Sequence, residues 1–168
     1  YKTDPSGDLY NADPQDEPNF RKMIKLAKKN GVKLILSIGG AGQSQGYAEI
    51  ARDAGKTQKF IKQLITLADE DVDGFDIDWE FPHEGDTEPH LNFFKAIRKS
   101  IDAYNAKTGK QIEFSSALPC TNWYGQWINP EAIKLLDYAK VVIPILLCGC
   151  LGFQGIPSLC GNKRKYCV

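Results

Sequence analysis

The segment best equipped for chemistry is Asp73-Gly74-Phe75-Asp76-Ile77-Asp78-Trp79-Glu80. Successive side chains on a β-strand point to opposite faces, so Asp76, Asp78 and Glu80 share one face at a spacing of about 6.6 Å. Phe75, Ile77, Trp79 and Phe81 share the other, which suits packing beneath helices. A parallel strand flanked by helices seldom turns a face to solvent, so the acids are expected in a polar interior or at the mouth of a site. Carboxylates so placed raise one another's proton affinity. Glu80 lies nearest the C-terminal end of the strand, where barrels and open α/β sheets bind ligands. A protonated carboxyl there is a general acid. Asp76 and Asp78 behind it can hold a proton between them and orient a polar group of a substrate.

The same stretch also satisfies the calcium-loop pattern of an EF-hand, through Asp69-Glu70-Asp71-Val72-Asp73-Gly74 and Glu80. The calcium reading is rejected, because Asp76 stands at the loop position expected to be apolar and Phe81-Pro82 would stop the exiting helix.

The elements that must position the acids alternate in type. Pro18 fits a first helical turn, with Phe20, Met23, Ile24 and Ala27 as its core face and Gly31 as its stop. Residues 1–15 read as irregular and turn-rich. Lys33 to Ile38 reads as a buried strand, and Thr57 as the cap of a helix with Phe60, Ile61, Leu64, Ile65 and Ala68 on one face. Val72 to Phe81 is the acidic strand. Thr87-Glu88-Pro89 opens a helix that closes near Gly109, Ile112 to Leu118 is a strand, Asn129-Pro130-Glu131 starts a short helix, and Ala139 to Leu147 is the last apolar run. This alternation specifies an α/β fold with a parallel sheet. Only four strands are visible, whereas a closed (β/α)₈ barrel needs about 250 residues. The expectation is half a barrel or a small open sheet.

With 168 residues, 21 basic and 21 acidic side chains and 42% hydrophobic content, the composition is that of one globular domain with zero net charge. That balance argues against nucleic-acid and anionic-membrane partners. The longest apolar run, Val141 to Leu151, falls short of the roughly 18 residues of a membrane span. No signal peptide is visible and residue 1 is Tyr, so a processed chain or a fragment is expected. Of five cysteines, Cys148, Cys150, Cys160 and Cys167 cluster near the end without zinc-site spacing, and no metal or cofactor is expected.

At these residues the chain resembles the chitinases of glycoside hydrolase family 18. Asp73, Asp76, Asp78 and Glu80 match the family's D-x-x-D-x-D-x-E signature of strand four, continued by Trp79 and Phe81-Pro82, and Ser37-Ile38-Gly39-Gly40 matches its S-x-G-G motif at the end of strand three. The resemblance runs over roughly residues 18–140, with a divergent tail from 144 to 168. It implies an α/β fold that is a partial (β/α)₈ TIM barrel, about strands three to six, and hydrolysis of β-1,4-linked N-acetylglucosamine polymers such as chitin. Two-carboxylate retention needs groups about 5–5.5 Å apart on either side of the bond, which acids on one strand face do not supply. In the family the substrate's 2-acetamido oxygen attacks instead. By that match Glu80 is the acid, Asp78 orients the acetamido group, Asp76 pairs with Asp78, and Asp73, Ser37, Gly39 and Gly40 support the substrate-binding site. A non-hydrolytic chitinase-like lectin is the alternative, an inactive fragment a third. Secretion is expected from the resemblance, and self-association from open sheet edges.

The chain also departs from the pattern. The family's M-x-Y-D at strand six is replaced within Val141-Val142-Ile143-Pro144-Ile145-Leu146-Leu147-Cys148, and strands one, two, seven and eight have no counterpart. Trp123, Tyr124 and Trp127 follow strand five and are candidates for stacking on sugar rings, with Asn122 or Gln126 as hydrogen-bonding neighbours. Gln43, Ser44 and Gln45 form a polar loop suited to substrate contact. His83 and His90 read as solvated, Ser115-Ser116 lacks a nucleophile context, and the face with Lys22, Lys25, Lys28 and Lys29 reads as solvated surface.

Overall fold

The computed structural model describes residues 1–142, with the exception of 12, 14 and 16. A small antiparallel pair, β1 (Lys2–Thr3) and β2 (Leu9–Tyr10), precedes α1 (Glu17–Lys29). There follow β3 (Ile35–Gly39), α2 (Tyr47–Arg52), α3 (Ala54–Ala68), β4 (Gly74–Asp78), α4 (Thr87–Thr108), β5 (Glu113–Pro119), α5 (Asn122–Gly125), α6 (Pro130–Ile133) and β6 (Tyr138–Val142). The last four strands form one parallel sheet in the order β3-β4-β5-β6. The expected alternation is therefore present, and a strand rather than a helix follows Asp73, against the calcium-loop geometry. The expected apolar run beyond Val142 and the four clustered cysteines lie outside the described residues.

Register fixes what each face of the sheet carries. Ser37 pairs with Asp76, Asp76 with Ser115, and Ser115 with Tyr138. This polar row crosses all four strands on one face. Leu36, Ile38, Phe75, Ile77 and Phe114 point the other way and are buried with Phe60, Ile61 and Leu64 of α3 and Leu91, Phe94, Ile97 and Ile101 of α4. An aromatic cluster closes the top of this core. Tyr47 stacks on Trp79 at 5.6 Å between centroids, and Phe60 meets Phe93 edge-on at 5.3 Å. Trp79 is thus behind the strand, as the alternation requires.

Several local expectations are corrected. Residues 1–15 are not irregular throughout: Asp4 Oδ1 accepts the N–H groups of Ser6 and Asp8 at 2.8 and 3.2 Å, turning β1 back onto β2. Strands of two residues are too short to show a period. Tyr1 also covers part of the β3 edge, since its amino group donates to Ser37 O at 3.1 Å and its carbonyl accepts Gly39 N–H at 3.0 Å. Thr57 does not cap α3; Asp53 does, accepting Lys56 N–H at 2.9 Å. Thr57 sits inside the helix and donates to Ile50 O at 2.7 Å, tying α3 to the unanticipated α2. Met23 is exposed, because α1 reaches the core through Phe20, which meets Tyr1 edge-on at 5.6 Å. The Gly109 cap of α4 and the Asn129 cap of α6 stand where the sequence placed them.

His90 is the largest departure. It is buried rather than solvated, with its ring 4.1 Å from that of Phe94 and 5.5 Å from that of Trp79. One helical turn before Phe94, it falls on the core face of α4. Burial pushes its imidazole down to about 4, so the folded state holds it neutral. The unfolded chain binds that proton at about pH 6.5. Stability from this residue is therefore intact above about pH 6.5 and lost progressively as pH falls towards 4, at most about 3 kcal/mol. His90→Phe should flatten the fall in stability between pH 7 and pH 4.5, measured by urea denaturation. An acid loss identical to the parent chain would show that His90 is not held neutral in the fold.

Candidate active site

The acidic strand delivers its three carboxyls into different surroundings. Asp76 is deeply buried, with 1% of its surface exposed. Its Oδ1 accepts a hydrogen bond from Ser115 Oγ at 2.6 Å, and its Oδ2 one from Ser37 Oγ at 3.1 Å. Lys140 Nζ stands 3.1 Å from the same Oδ2. Each neighbouring strand thus contributes one donor or cation, β6 reaching over β5. Asp78 is half-buried at the strand end, and its buried Oδ1 finds no hydrogen-bond donor among the described residues. Its carboxyl is pushed up to about 7, first by burial, then by the charges of Glu80 and Asp76 and by a hydrogen bond with Glu80; Lys140 opposes the rise. A hydrogen bond between two carboxyls needs a proton on one of them. With the Asp78 carboxyl pushed up to about 7, the outer part of the run retains a proton near neutrality.

The loop after β3 sets how Glu80 leaves the strand. Ser44 Oγ lies 2.9 Å from the Asp78 carbonyl and 3.0 Å from the Gly40 carbonyl, and accepts Glu80 N–H at 3.1 Å. Gly40 N–H adds a bond to the Asp78 carbonyl at 2.8 Å. Such closeness requires the glycine pair. A Cβ on Gly39 would sit 2.4 Å from the Asp78 carbonyl oxygen, one on Gly40 would meet Asp78 Oδ2 at 3.3 Å, and both residues have φ near +100° (+102° and +99°). Behind the acids, the buried Tyr47 phenol donates to Ile38 O at 2.7 Å, with its proton held tightly by burial and the nearby Asp78 and Asp76 charges.

The sequence-derived site residues divide by position. Asp76, Asp78, Glu80, Ser37, Gly39 and Gly40 come together at the C-terminal half of β3 and β4. Asp73 does not join them: it precedes β4 at the opposite end, where its Oδ2 accepts Leu34 N–H at 2.8 Å and ties two strand starts together. Trp123 and Tyr124 lie beyond the C-terminal end of β5, exposed by 75% and 47%, with the Tyr124 ring 5.6 Å from that of Phe81. A cleft of about 160 Å³ beside Glu80 is lined by Gln45, Trp79, Phe81, His83 and Asp86 among others. A larger groove of about 490 Å³ lies at the N-terminal ends of β5 and β6, next to Arg98 and Asp137, on the side away from the acids. The sequence placed Ser44 in a loop suited to substrate contact, a reading the structure corrects, and it missed Ser115 as a site-builder. Ser44 is buried and bonded to backbone rather than offered to a substrate. Ser115 could have been found by aligning the strands, since it pairs with Asp76.

Residues 1–143 match the sequence profile of the family described as Glycosyl hydrolases family 18. The chain belongs to glycosyl hydrolase family 18. Endochitinase 1 of Metarhizium anisopliae is 35% identical over 126 residues, covering 71% of this chain and 29% of that protein. An endochitinase of Brugia malayi is 36% identical over 95 residues, covering 55% of this chain and 19% of that protein. The chain thus spans less than a third of these relatives. Among solved structures, the chitinase-like agglutinin from Robinia pseudoacacia superposes with a TM-score of 0.75 at 25% identity, over 83% of this chain and 45% of that one. A group IV chitinase from Ostrinia furnacalis in complex with allosamidin gives 0.73 at 24% identity, over 83% and 40%. Strands β3 to β6 with their outer helices are accordingly an arc of a (β/α)₈ barrel, and the polar row lies on the face that a closed barrel turns inward.

The position of Asp78 carries a stability cost that depends on pH. Folding raises its proton affinity from an ordinary 3.8 to about 7, so ionisation is harder in the folded state. The penalty is absent below about pH 3.8, grows as pH rises and is complete above about pH 7. Asp78→Asn should therefore raise the melting temperature at pH 8 and give a clearly smaller gain at pH 4.5. An equal effect at both values would show that Asp78 titrates as an ordinary carboxylate.

Proposed function

We propose that this chain carries the acid machinery of an enzyme that hydrolyses β-1,4-linked N-acetylglucosamine polymers, chitin or chito-oligosaccharides, with retention at the anomeric carbon. The observation that carries this reading is the run Asp76–Asp78–Glu80 on one strand face, with a proton kept at its outer end by an Asp78 carboxyl pushed up to about 7. Family membership supports the hydrolase class, and relatives named endochitinases support the substrate class.

The chemistry follows from one-sided placement. Glu80 gives its proton to the glycosidic oxygen, and the carbonyl oxygen of the 2-acetamido group attacks the anomeric carbon from the opposite face as the C–O bond breaks. The aglycone leaves as an alcohol and an oxazolinium ion remains. Asp78, hydrogen-bonded to Glu80 beforehand, turns to the acetamido N–H, and its negative charge offsets the positive charge on the ring. Glu80, now ionised, takes a proton from water, whose oxygen opens the oxazolinium and restores the original configuration. The exposed rings of Trp123 and Tyr124, at the same end of the sheet, are suited to stack on sugar faces. A polymer of this kind is met outside cells, which fits secretion.

A second reading is binding without hydrolysis. The Robinia agglutinin supports it as a structural neighbour, as does the sequence Val141 to Cys148, which stands in the region of the family's M-x-Y-D and holds neither Tyr nor Asp. Glu80 itself favours hydrolysis, because a binding protein has no use for an acid at the mouth. Glu80→Gln should lower kcat for a chito-oligosaccharide by at least about a hundredfold, while calorimetry shows the oligosaccharide still bound. Unchanged turnover would remove Glu80 from the mechanism. Binding without any turnover by the parent chain would favour the agglutinin-like reading. Oligomers of plain glucose should be left uncut, since they lack the nucleophile; their efficient cleavage would exclude assistance by the acetamido group.

A further inference from the structure

We propose that Lys140 is a positioning residue of the carboxylate run: its ion pair with Asp76 fixes the innermost acid as the anion and confines the shared proton to the Asp78–Glu80 contact. The inference deepens the proposed function and rests on that reading for its catalytic meaning, while the Lys140–Asp76 ion pair is there in the geometry whatever the reaction.

The groups around Asp76 favour its ionised form. Ser115 Oγ donates to Oδ1 at 2.6 Å, while Oδ2 takes Ser37 Oγ at 3.1 Å and faces Lys140 Nζ at 3.1 Å. The serine hydroxyls could turn and accept a hydrogen bond from a protonated Asp76, but an ammonium cannot. Among the described residues, Lys140 is therefore the one partner that commits Asp76 to the anion. The Asp76 side chain is only 2% exposed, whereas the Lys140 side chain is 45% exposed, so the pair joins a buried anion to a partly hydrated cation. Asp78 is in the opposite condition, with a buried Oδ1 that no donor reaches among the described residues.

Among the described residues, each element around the pair brings its own groups. β3 brings the Ser37 hydroxyl, α2 the neutral Tyr47 phenol, and β4 the acids Asp78 and Glu80. β5 brings the Ser115 hydroxyl, and β6 brings Lys140 with Tyr138 two residues earlier on the same face. Among these groups Lys140 is the single cation. Without it, two buried carboxyls face each other with hydroxyl donors alone, and a proton between them is shared with Asp76 instead of being kept for Glu80. The ammonium also draws protons off the run as a whole, as its opposing effect on Asp78 shows. Strand six lacks the family's Tyr-Asp pair in this sequence, and Lys140 is the polar side chain with which the described part of β6 reaches the acids.

Carbon-13 NMR titration of the Asp and Glu side-chain carboxyls tests this without turnover. In Lys140→Met, proton affinity at the run should rise about tenfold, as expected for removing a nearby cation in a partly screened site. Asp76 should then begin to titrate together with Asp78. Lys140→Arg should restore the parent curve. Lys140→Gln, which keeps a donor but no charge, should behave as the Met variant; parent-like titration in Gln would overturn the proposal, as would an unchanged curve in Met. If Lys140→Met does not fold, the Lys140→Gln and Lys140→Arg pair carries the titration, and Asp76→Asn/Lys140→Met, which removes both members of the ion pair, checks the cause of the misfolding. The double variant should fold, and failure would show that Lys140 holds the sheet by packing. A chito-oligosaccharide assay provides the catalytic readout: the alkaline limb of kcat should move to higher pH in Lys140→Met and return in Lys140→Arg. Absence of hydrolysis by the parent chain would count against the proposed function, while the titration would still decide the role of Lys140.

Discussion

A carboxylate taken out of water must be compensated where it lies, and Asp76 imposes that demand on the whole sheet. Its compensation comes from three other strands: Ser37 from β3, Ser115 from β5 and Lys140 from β6. Stripping a partner from a buried charge costs on the order of 3–5 kcal/mol, so the register of four strands and the charge of one residue are locked together. A one-residue slip in any of them would exchange the polar row for the apolar face and leave Asp76 uncompensated. The apolar face, with Leu36, Ile38, Phe75, Ile77 and Phe114, supplies the hydrophobic driving force. Asp76 selects which alignment that force produces.

Satisfying Asp76 leaves Asp78 in need. With donors spent one residue pair deeper, the next acid has a buried oxygen that no donor reaches among the described residues and two acids beside it, and the remaining remedy is a proton. The loop after β3 preserves that arrangement. Gly39 and Gly40 allow backbone to pass against Asp78, Ser44 ties the Gly40 turn to the start of the Glu80 segment, and Tyr47 and Trp79 stack behind it. Stability is lost at Asp78 and recovered in the aromatic and aliphatic core. Stability and reactivity therefore oppose each other at one carboxyl, a common feature of catalytic sites.

Much of this was legible in the chain. Alternation over Phe75 to Glu80 assigns each side chain a face, and the structure places Trp79 behind the strand accordingly. The caps at Gly109 and Asn129 follow from residue type. Other features depend on partners distant in sequence. Ser115 reads as an ordinary strand residue until Asp76 is set opposite it, 39 positions earlier. Lys140 falls inside the last apolar run of the sequence, and its partner comes into view only when β6 is placed beside β5. His90 follows a proline in a polar helix start, so its type suggested solvent, whereas the i,i+4 relation to Phe94 decided burial. Asp73 belongs to the same motif as Glu80 yet serves the far end of the strand, because five extended residues separate Asp73 from Asp78 by about 16 Å. A motif match places these residues on one strand. Their division of labour comes from the strands on either side.

The central claim is that the run holds one proton, at its outer end, while Asp76 stays ionised. Neutron diffraction from crystals grown in deuterated buffer about one pH unit below the Asp78 value of about 7 would locate that proton directly. Nuclear density for one deuteron between Asp78 and Glu80, with none on either Asp76 oxygen and three on Lys140 Nζ, is the expected result. A deuteron on Asp76, or three bare carboxylates, would contradict it.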